Sequence, residues 1–235
     1  MNMERPKMPT AHGWRAPALR SFSAAHGLTR KAIVLDLCER TIVSIVFLSF
    51  VYRMSSGFGE PGLITVLLVV LLVLSETLPF VYIVLRAPSI TLSQTPSDWV
   101  FAILGTTLPL MVGPAAGVPP LVPAAACLAL MLAGFSLQVS AKLILGRAFG
   151  IVAANRGVRM LGPYRFLRHP MYAGYTLTHV GFLLAAPSLT NALIYTAALT
   201  TQVIRIFREE RVLMQDAEYR VFSTRIRYRL LPGVF

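Results

Sequence analysis

Negative charge is scarce in this sequence. Only 10 Asp and Glu residues stand against 22 Lys and Arg, and charged residues make up 14% of the chain against 55% hydrophobic. A soluble globular domain carries about 25% charged residues, so an ordinary water-soluble fold is excluded. Cysteine is scarcer still. Cys38 and Cys127 stand alone in apolar surroundings, which excludes a disulfide framework and a thiolate zinc site. The histidines His12, His26, His169 and His179 are not spaced with cysteines or carboxylates as metal ligands are, so no metal is expected. Nor is the excess of cations a nucleic-acid footprint, because Lys and Arg lie almost wholly outside the apolar runs. The first 31 residues carry six cations but no long apolar stretch leading to a small-residue cleavage site. They read as a basic tail near anionic headgroups, not a cleaved signal.

What the chain does have is long apolar runs, several of them near the ~20 residues that cross a bilayer. The expected fold is all-α: a polytopic membrane protein of about six spans, at Ala32–Tyr52, Leu63–Leu85, Trp99–Val112, Leu121–Leu145, Met171–Ala186 and Ala192–Phe207. Trp99–Val112 is short and is expected to pair with the next span as a hairpin. The small residues Ala124, Ala125, Ala126 and Gly134 allow close helix packing. Asp36 and Arg40, four apart, can pair on one helix face. Gly57, Gly59 and Gly62 form a formal G-x-G-x-x-G, but no strand precedes it and Pro61 interrupts it, so it is a turn. With this topology Arg53 alone among the Lys and Arg residues falls on the far side, which assigns both termini to the cytosol. Glu76 lies inside the most apolar run; an intramembrane carboxylate is either a functional group or a neutral, hydrogen-bonded partner of a neighbouring helix.

Between Leu145 and Met171 the chain changes character. Lys142 just before this stretch and Arg147, Arg156, Arg159, Arg165 and Arg168 within it occur without one acidic residue. The run Gly162-Pro163-Tyr164-Arg165-Phe166-Leu167-Arg168-His169-Pro170-Met171-Tyr172-Ala173-Gly174-Tyr175 combines anion-binding donors with amphipathic rings. Pro170 pushes His169 away from helical geometry. Beyond the last span come Arg205-Ile206-Phe207-Arg208-Glu209-Glu210-Arg211-Val212-Leu213, with Arg205 and Glu209 on one helix face, and then an amphipathic tail.

The order G-P-Y-x-x-x-R-H-P-x-Y-x-G, a helical hairpin, R-x-x-x-E-E-x-x-L, Y-x-x-F and R-L-L-P-G resembles the isoprenylcysteine carboxyl methyltransferase family, which is related in pattern to the membrane phospholipid N-methyltransferases. The resemblance covers roughly residues 142–235 and rests on the joint occurrence of R-H-P-x-Y and the E-E pair. It implies S-adenosyl-L-methionine as methyl donor, bound on the cytosolic side, and a lipophilic or lipidated acceptor arriving from the membrane lipid. It assigns the cofactor to Arg156, Gly157, Val158, Arg159, Tyr164, Arg168, His169, Pro170, Met171, Tyr172 and Glu209, and the acceptor to Arg205. The chain departs from the family in lacking a Phe-Gly pair between the E-E helix and Tyr219, and in carrying Arg156 where eukaryotic members often have His.

The residue types suit that chemistry. Cationic side chains and His169 satisfy a carboxylate, Glu209 accepts from ribose hydroxyls or an ammonium, and Tyr164 and Tyr172 flank an adenine or a sulfonium. A carboxylate acceptor needs a cation to orient it, for which Arg205 is the candidate, and no base. An amine acceptor must lose a proton, for which Glu210 is a candidate base. The expected division is a basic tail over residues 1–31, a transmembrane region over 32–145 and a methyltransferase region over 146–235. The competing class is a non-catalytic transporter or scaffold with a basic cytosolic surface, which requires polar residues lining the middle of several spans.

Overall fold

The computed structural model describes residues 30–57, 62–85, 96–115, 117–145 and 161–235. The described residues form seven α-helices and no strand. These are α1 (Arg30–Ser56), α2 (Leu63–Leu85), α3 (Pro96–Thr107), α4 (Ala124–Leu145), α5 (Pro170–Ala185), α6 (Leu189–Leu213) and α7 (Ala217–Arg225), with short 3-10 turns at Pro109–Met111 and Gly162–Arg165. The basic tail before residue 30, Gly59, and the stretch 146–160 with Arg156, Gly157, Val158 and Arg159 lie outside the described residues.

Helices α2 and α4 are long and apolar enough to cross a membrane, and only 28% of the central window of each is buried. An apolar helix that leaves most of its surface uncovered in the folded chain needs a nonpolar solvent. The other helices differ from the six expected spans in instructive ways. Helix α1 carries Asp36, Glu39 and Arg40 in its first half, and Asp36 pairs with Arg40 at 2.7 Å. Helix α3 has only 12 residues and gives way to a 3-10 turn at Pro109, whose ring cannot donate to the preceding turn. Helix α6 does not stop near Phe207 but continues two further turns to Leu213.

The closest packing joins α4 to α5, where a hairpin of the third and fourth spans was expected; α3 packs instead against α6 and α1. The reason is a seam of small residues. Buried Cys127, Met131, Gly134, Gln138 and Ala141 follow the spacing of one helix face. Opposite them stand Gly174 and Gly181. A Cβ on Gly134 would come within 2.6 Å of the Gly174 carbonyl oxygen, and one on Gly174 within 2.6 Å of the Gly134 oxygen. The backbones touch because neither position carries a side chain.

Two clusters hold the bundle. The larger gathers Phe47, Phe50 and Met54 of α1, Leu68, Leu71 and Leu72 of α2, Met131 of α4 and Phe182 of α5. At the same end, Asn191 bridges two uncharged turns: its amide donates to Gly113 O at 2.8 Å and Ala186 O at 3.0 Å, and it accepts from Gly113 N at 3.1 Å. The smaller cluster lies at the opposite end, where Leu230 of the tail packs with Leu167, Tyr172, Ala173, Tyr175 and Ile206. It seats the chain terminus against the start of α5, and with it the residues of interest.

Gly134→Ala tests the seam. It is expected to lower the thermal unfolding midpoint in detergent, in line with an overpacking cost of about 1–3 kcal/mol. Gly113→Ala, a position with nothing within 4 Å, is the matched control and should leave the midpoint unchanged.

Candidate functional site

The site begins with backbone. Gly162 sits at φ +54, and a Cβ there would lie 2.4 Å from Ile144 Cδ1, so this turn favours glycine. A 3-10 turn follows, and His169 stands at φ −127, ψ 59, outside helical geometry, because Pro170 opens α5. The free N–H groups just before the helix find partners in the tail. Arg168 N donates to Tyr228 O at 2.9 Å, and His169 N donates to Arg229 O at 3.0 Å. The connector and the C-terminal segment thus run side by side.

Their side chains meet on α6. Glu210 receives Arg168 Nη1 at 2.8 Å, Arg229 Nε at 2.8 Å and His169 Nε2 at 3.3 Å. A carboxylate only accepts, so Nε2 carries a proton in this arrangement. Burial raises the Glu210 pKa, but the hydrogen bonds from His169 and Arg229 and the positive charges of His169 and Arg168 outweigh it and hold the carboxyl below its ordinary value of 4.5. Arg229 lies beside Phe207 and Phe235, its guanidinium 5.4 and 5.2 Å from their ring centres, and the two rings meet edge to face.

Glu209 is adjacent in sequence but faces the other way. It accepts a hydrogen bond from the Tyr172 hydroxyl, and its second oxygen lies 3.9 Å from His169 Nδ1. Its side chain keeps 21% exposure, whereas Glu210 keeps 6%. So Glu209 can still take a ligand and Glu210 is spent on protein. Tyr164 is buried beside this group. Its hydroxyl pKa is pushed upward by burial and by the nearby charge of Glu209, so it is a neutral donor at working pH. Arg205, one turn before Glu209, lays its guanidinium over the Tyr172 ring at 5.6 Å.

A cavity opens below Tyr172. With its mouth it leaves about 600 Å³ unfilled by atoms. Met171, Tyr172, Tyr175 and His179 of α5 line one wall, Gln202 and Arg205 of α6 another, and Val43, Phe80, Ile83 and Leu110 supply apolar surface. Tyr172, Tyr175 and His179 share a wall because positions i, i+3 and i+7 fall on one helix face.

The expected residues sort into three groups. His169, Tyr172 and Glu209 come together, Met171 and Arg205 join Tyr172 along the cavity, and Tyr164 is buried in the turn that precedes them. Arg168 and Glu210 pair with each other behind them, and Pro170 sets the helix start. Arg156, Gly157, Val158 and Arg159 are in the undescribed connector. S-adenosyl-L-methionine needs partners for an ammonium, ribose hydroxyls, a carboxylate and flat surfaces; a half-open carboxylate between two tyrosines and an imidazole meets several of these needs. Three residues escaped the sequence reading as members of the site. Arg229 was visible only as part of R-L-L-P-G. Tyr175 and His179 were detectable from their helical spacing to Tyr172.

The Glu210 carboxyl predicts a pH response. A folded-state pKa held below the unfolded value contributes stability above pH 4.5 that is lost as pH falls through the folded value. The thermal midpoint of the wild-type chain should therefore drop on acidification below that point. Glu210→Gln should start lower at neutral pH and fall less over the same window.

No curated protein matches the chain. A family comparison does. The match runs from the residue before α4 to the first residue of α7, so it contains Tyr164, His169, Tyr172, Arg205, Glu209 and Glu210, and leaves out α1 to α3 and the tail that carries Arg229. Residues 123–217 match the model of the phospholipid methyltransferase family, membrane methyltransferases like those that the motifs resemble.

Proposed function

We propose that this protein is an integral-membrane methyltransferase that uses S-adenosyl-L-methionine and methylates a lipophilic acceptor, with about six spans and both termini in the cytosol. One observation carries the reading. Glu209 and Tyr172 are hydrogen-bonded to each other, and Tyr172 also lines a cavity with much apolar surface. A polar cofactor and an oily acceptor would meet at that tyrosine.

Each residue then has a part. Glu209, Tyr164 and His169 hold the polar portion of the cofactor. Tyr172 presents its ring where a sulfonium is stabilised by aromatic density. When bound, the cofactor supplies an electrophilic methyl group on positive sulfur. Arg205 orients the acceptor from the cavity side, and the tail packed through Leu230 keeps water out. Methyl transfer is a displacement in line, so holding both partners in register is most of the catalysis. Glu210 acts through others: it fixes Arg168, His169 and Arg229 and has no free face for an acceptor proton.

A carboxylate is the acceptor group that Arg205 suits, because an anion needs no base and gains a counter-charge. The reading of an amine acceptor is favoured by a different observation, the match to phospholipid methyltransferases together with the Glu76 carboxylate lining the same cavity.

Calorimetry with S-adenosylhomocysteine on the detergent-purified chain should show binding that Glu209→Ala and His169→Ala weaken by about tenfold or more, the loss of one charge-assisted contact. Transfer of a radiolabelled methyl group into a native membrane extract should follow. A carboxyl ester releases its label as methanol on mild alkali, and an N-methyl product does not. Unchanged binding in both variants would remove this site from consideration.

A further inference from the structure

Two arginines of α6 rest on α3, each in a different way. Arg208 lays its guanidinium over the Phe101 ring at 4.5 Å. About one turn earlier on α6, Arg205 meets Gly105, one turn further along α3. These two contacts fix how the helices lie: they run antiparallel, with Phe101 beside Arg208 and Gly105 beside Arg205.

Gly105 is the bare point of that contact. A Cβ there would come within 2.9 Å of Arg205 Nη1, 3.1 Å of Arg205 Cδ and 3.5 Å of Thr201 Cγ2. All three are side-chain atoms. The comparison with Gly134 is direct. A Cβ on Gly134 would meet backbone, Gly174 O at 2.6 Å and Thr178 N at 2.7 Å, so glycine there lets two helices close on each other. At Gly105 the missing side chain makes room for an arginine instead. Nothing in the backbone of α3 asks for glycine at this position, since its φ is not positive. Glycine inside a helix is less stable than alanine, and α3 has only 12 residues to hold it. The space is what the glycine supplies.

Arg205 also meets α5, its guanidinium carbon 5.6 Å from the centre of the Tyr172 ring. Gly105, Tyr172 and Arg205 all line the one cavity. The guanidinium is therefore held by two elements, the bare backbone of α3 and the ring at the start of α5. A long, flexible side chain held in this way loses less freedom when it takes an anion. Its pairing with a carboxylate is directional, so a small displacement weakens it.

We propose that Gly105 is a positioning residue for the methyl acceptor: the space it leaves on α3 seats Arg205 so that the guanidinium can pair with an acceptor carboxylate in the cavity beside Tyr172. Gly105 acts only through Arg205 and has no part in bond exchange. The proposal rests on the reading of Arg205 as the cation that orients the acceptor. Gly105 lies outside residues 123–217, so the family match contains the arginine but not the surface that seats it. An alanine at 105 must displace the guanidinium. The far end of a flexible side chain gives way more readily than backbone, so folding survives the change and the pairing geometry does not.

The test uses the full chain in detergent at mildly alkaline pH, saturated with S-adenosylhomocysteine, and two probes of equal chain length, stearate and stearyl alcohol. Wild type should prefer stearate by about tenfold or more, the effect of one charge-assisted pair. Gly105→Ala should bind S-adenosylhomocysteine as wild type does, keep or raise the thermal midpoint, and lower the preference to about threefold or less. Arg205→Ala should abolish the preference, and Gly105→Ala added to it should change nothing further, because the arm that the methyl group obstructs is gone. If Gly105→Ala alone fails to fold, the double variant with Arg205→Ala should fold, since both close contacts are removed. The proposal is overturned by equal binding of the two probes to wild type, by a stearate preference that Gly105→Ala leaves intact, or by an effect of Gly105→Ala, on binding or on folding, that is as large without Arg205 as with it. Failure of the wild-type chain to bind S-adenosylhomocysteine is a separate result: it sinks the methyltransferase reading, while the stearate preference and its dependence on Gly105 and Arg205 can still be measured.

Discussion

One buried carboxylate organises the functional end of this molecule. Glu210 sits where three segments cross, the connector that carries Arg168 and His169, helix α6, and the terminal tail that carries Arg229. An isolated carboxylate in that position would be expensive. Three cationic or proton-bearing partners at 2.8 to 3.3 Å make it cheap, but only while all three segments are in place. The ion-pair group therefore reports on assembly as well as stabilising it. Two backbone hydrogen bonds between residues 168–169 and 228–229 run beside it and give the same segments a second, independent reason to align.

Glu209 has its role because of Glu210. Adjacent helix positions point about 100° apart, so anchoring one carboxylate among the cations turns the next toward α5. There it meets Tyr172 and the edge of His169. The imidazole meets Glu210 through Nε2 at 3.3 Å and stands 3.9 Å from Glu209 at Nδ1, so it lies between the two carboxylates. A doublet of acidic residues thereby does two jobs that neither position can do alone.

The cavity couples this end of the protein to its interior. Its walls come from α1, α2, α3, α5, α6 and the 3-10 turn at Pro109–Met111, and they combine polar and apolar side chains. Polar side chains in its wall bear on the competing idea of a transport protein. That idea requires polar groups in mid-bundle, and they are present, on four helices. Of these, Glu76, His179 and Gln202 line a cavity that also takes in Tyr172 and Arg205, the residues that the resemblance gives to cofactor and acceptor.

Much of this was legible in the residues themselves. The scarcity of charge, the apolar runs and the cation asymmetry specify helices in a membrane, because hydrocarbon tolerates no other open-ended backbone. Helical spacing was enough to put Asp36 with Arg40, and Arg205 with Glu209, because such neighbours are set by local geometry alone. Pro170 likewise dictated the bend at His169. Contacts across long sequence distances were beyond reach. That α4 pairs with α5 depends on Gly134 meeting Gly174, and that Glu76 meets His179 depends on two helices 103 residues apart settling at one depth. Many partners satisfy the same local pattern, and only the packing of all the helices together selects one. The residue types named the chemistry; which carboxylate keeps an exposed edge and which is consumed by the fold was decided in three dimensions.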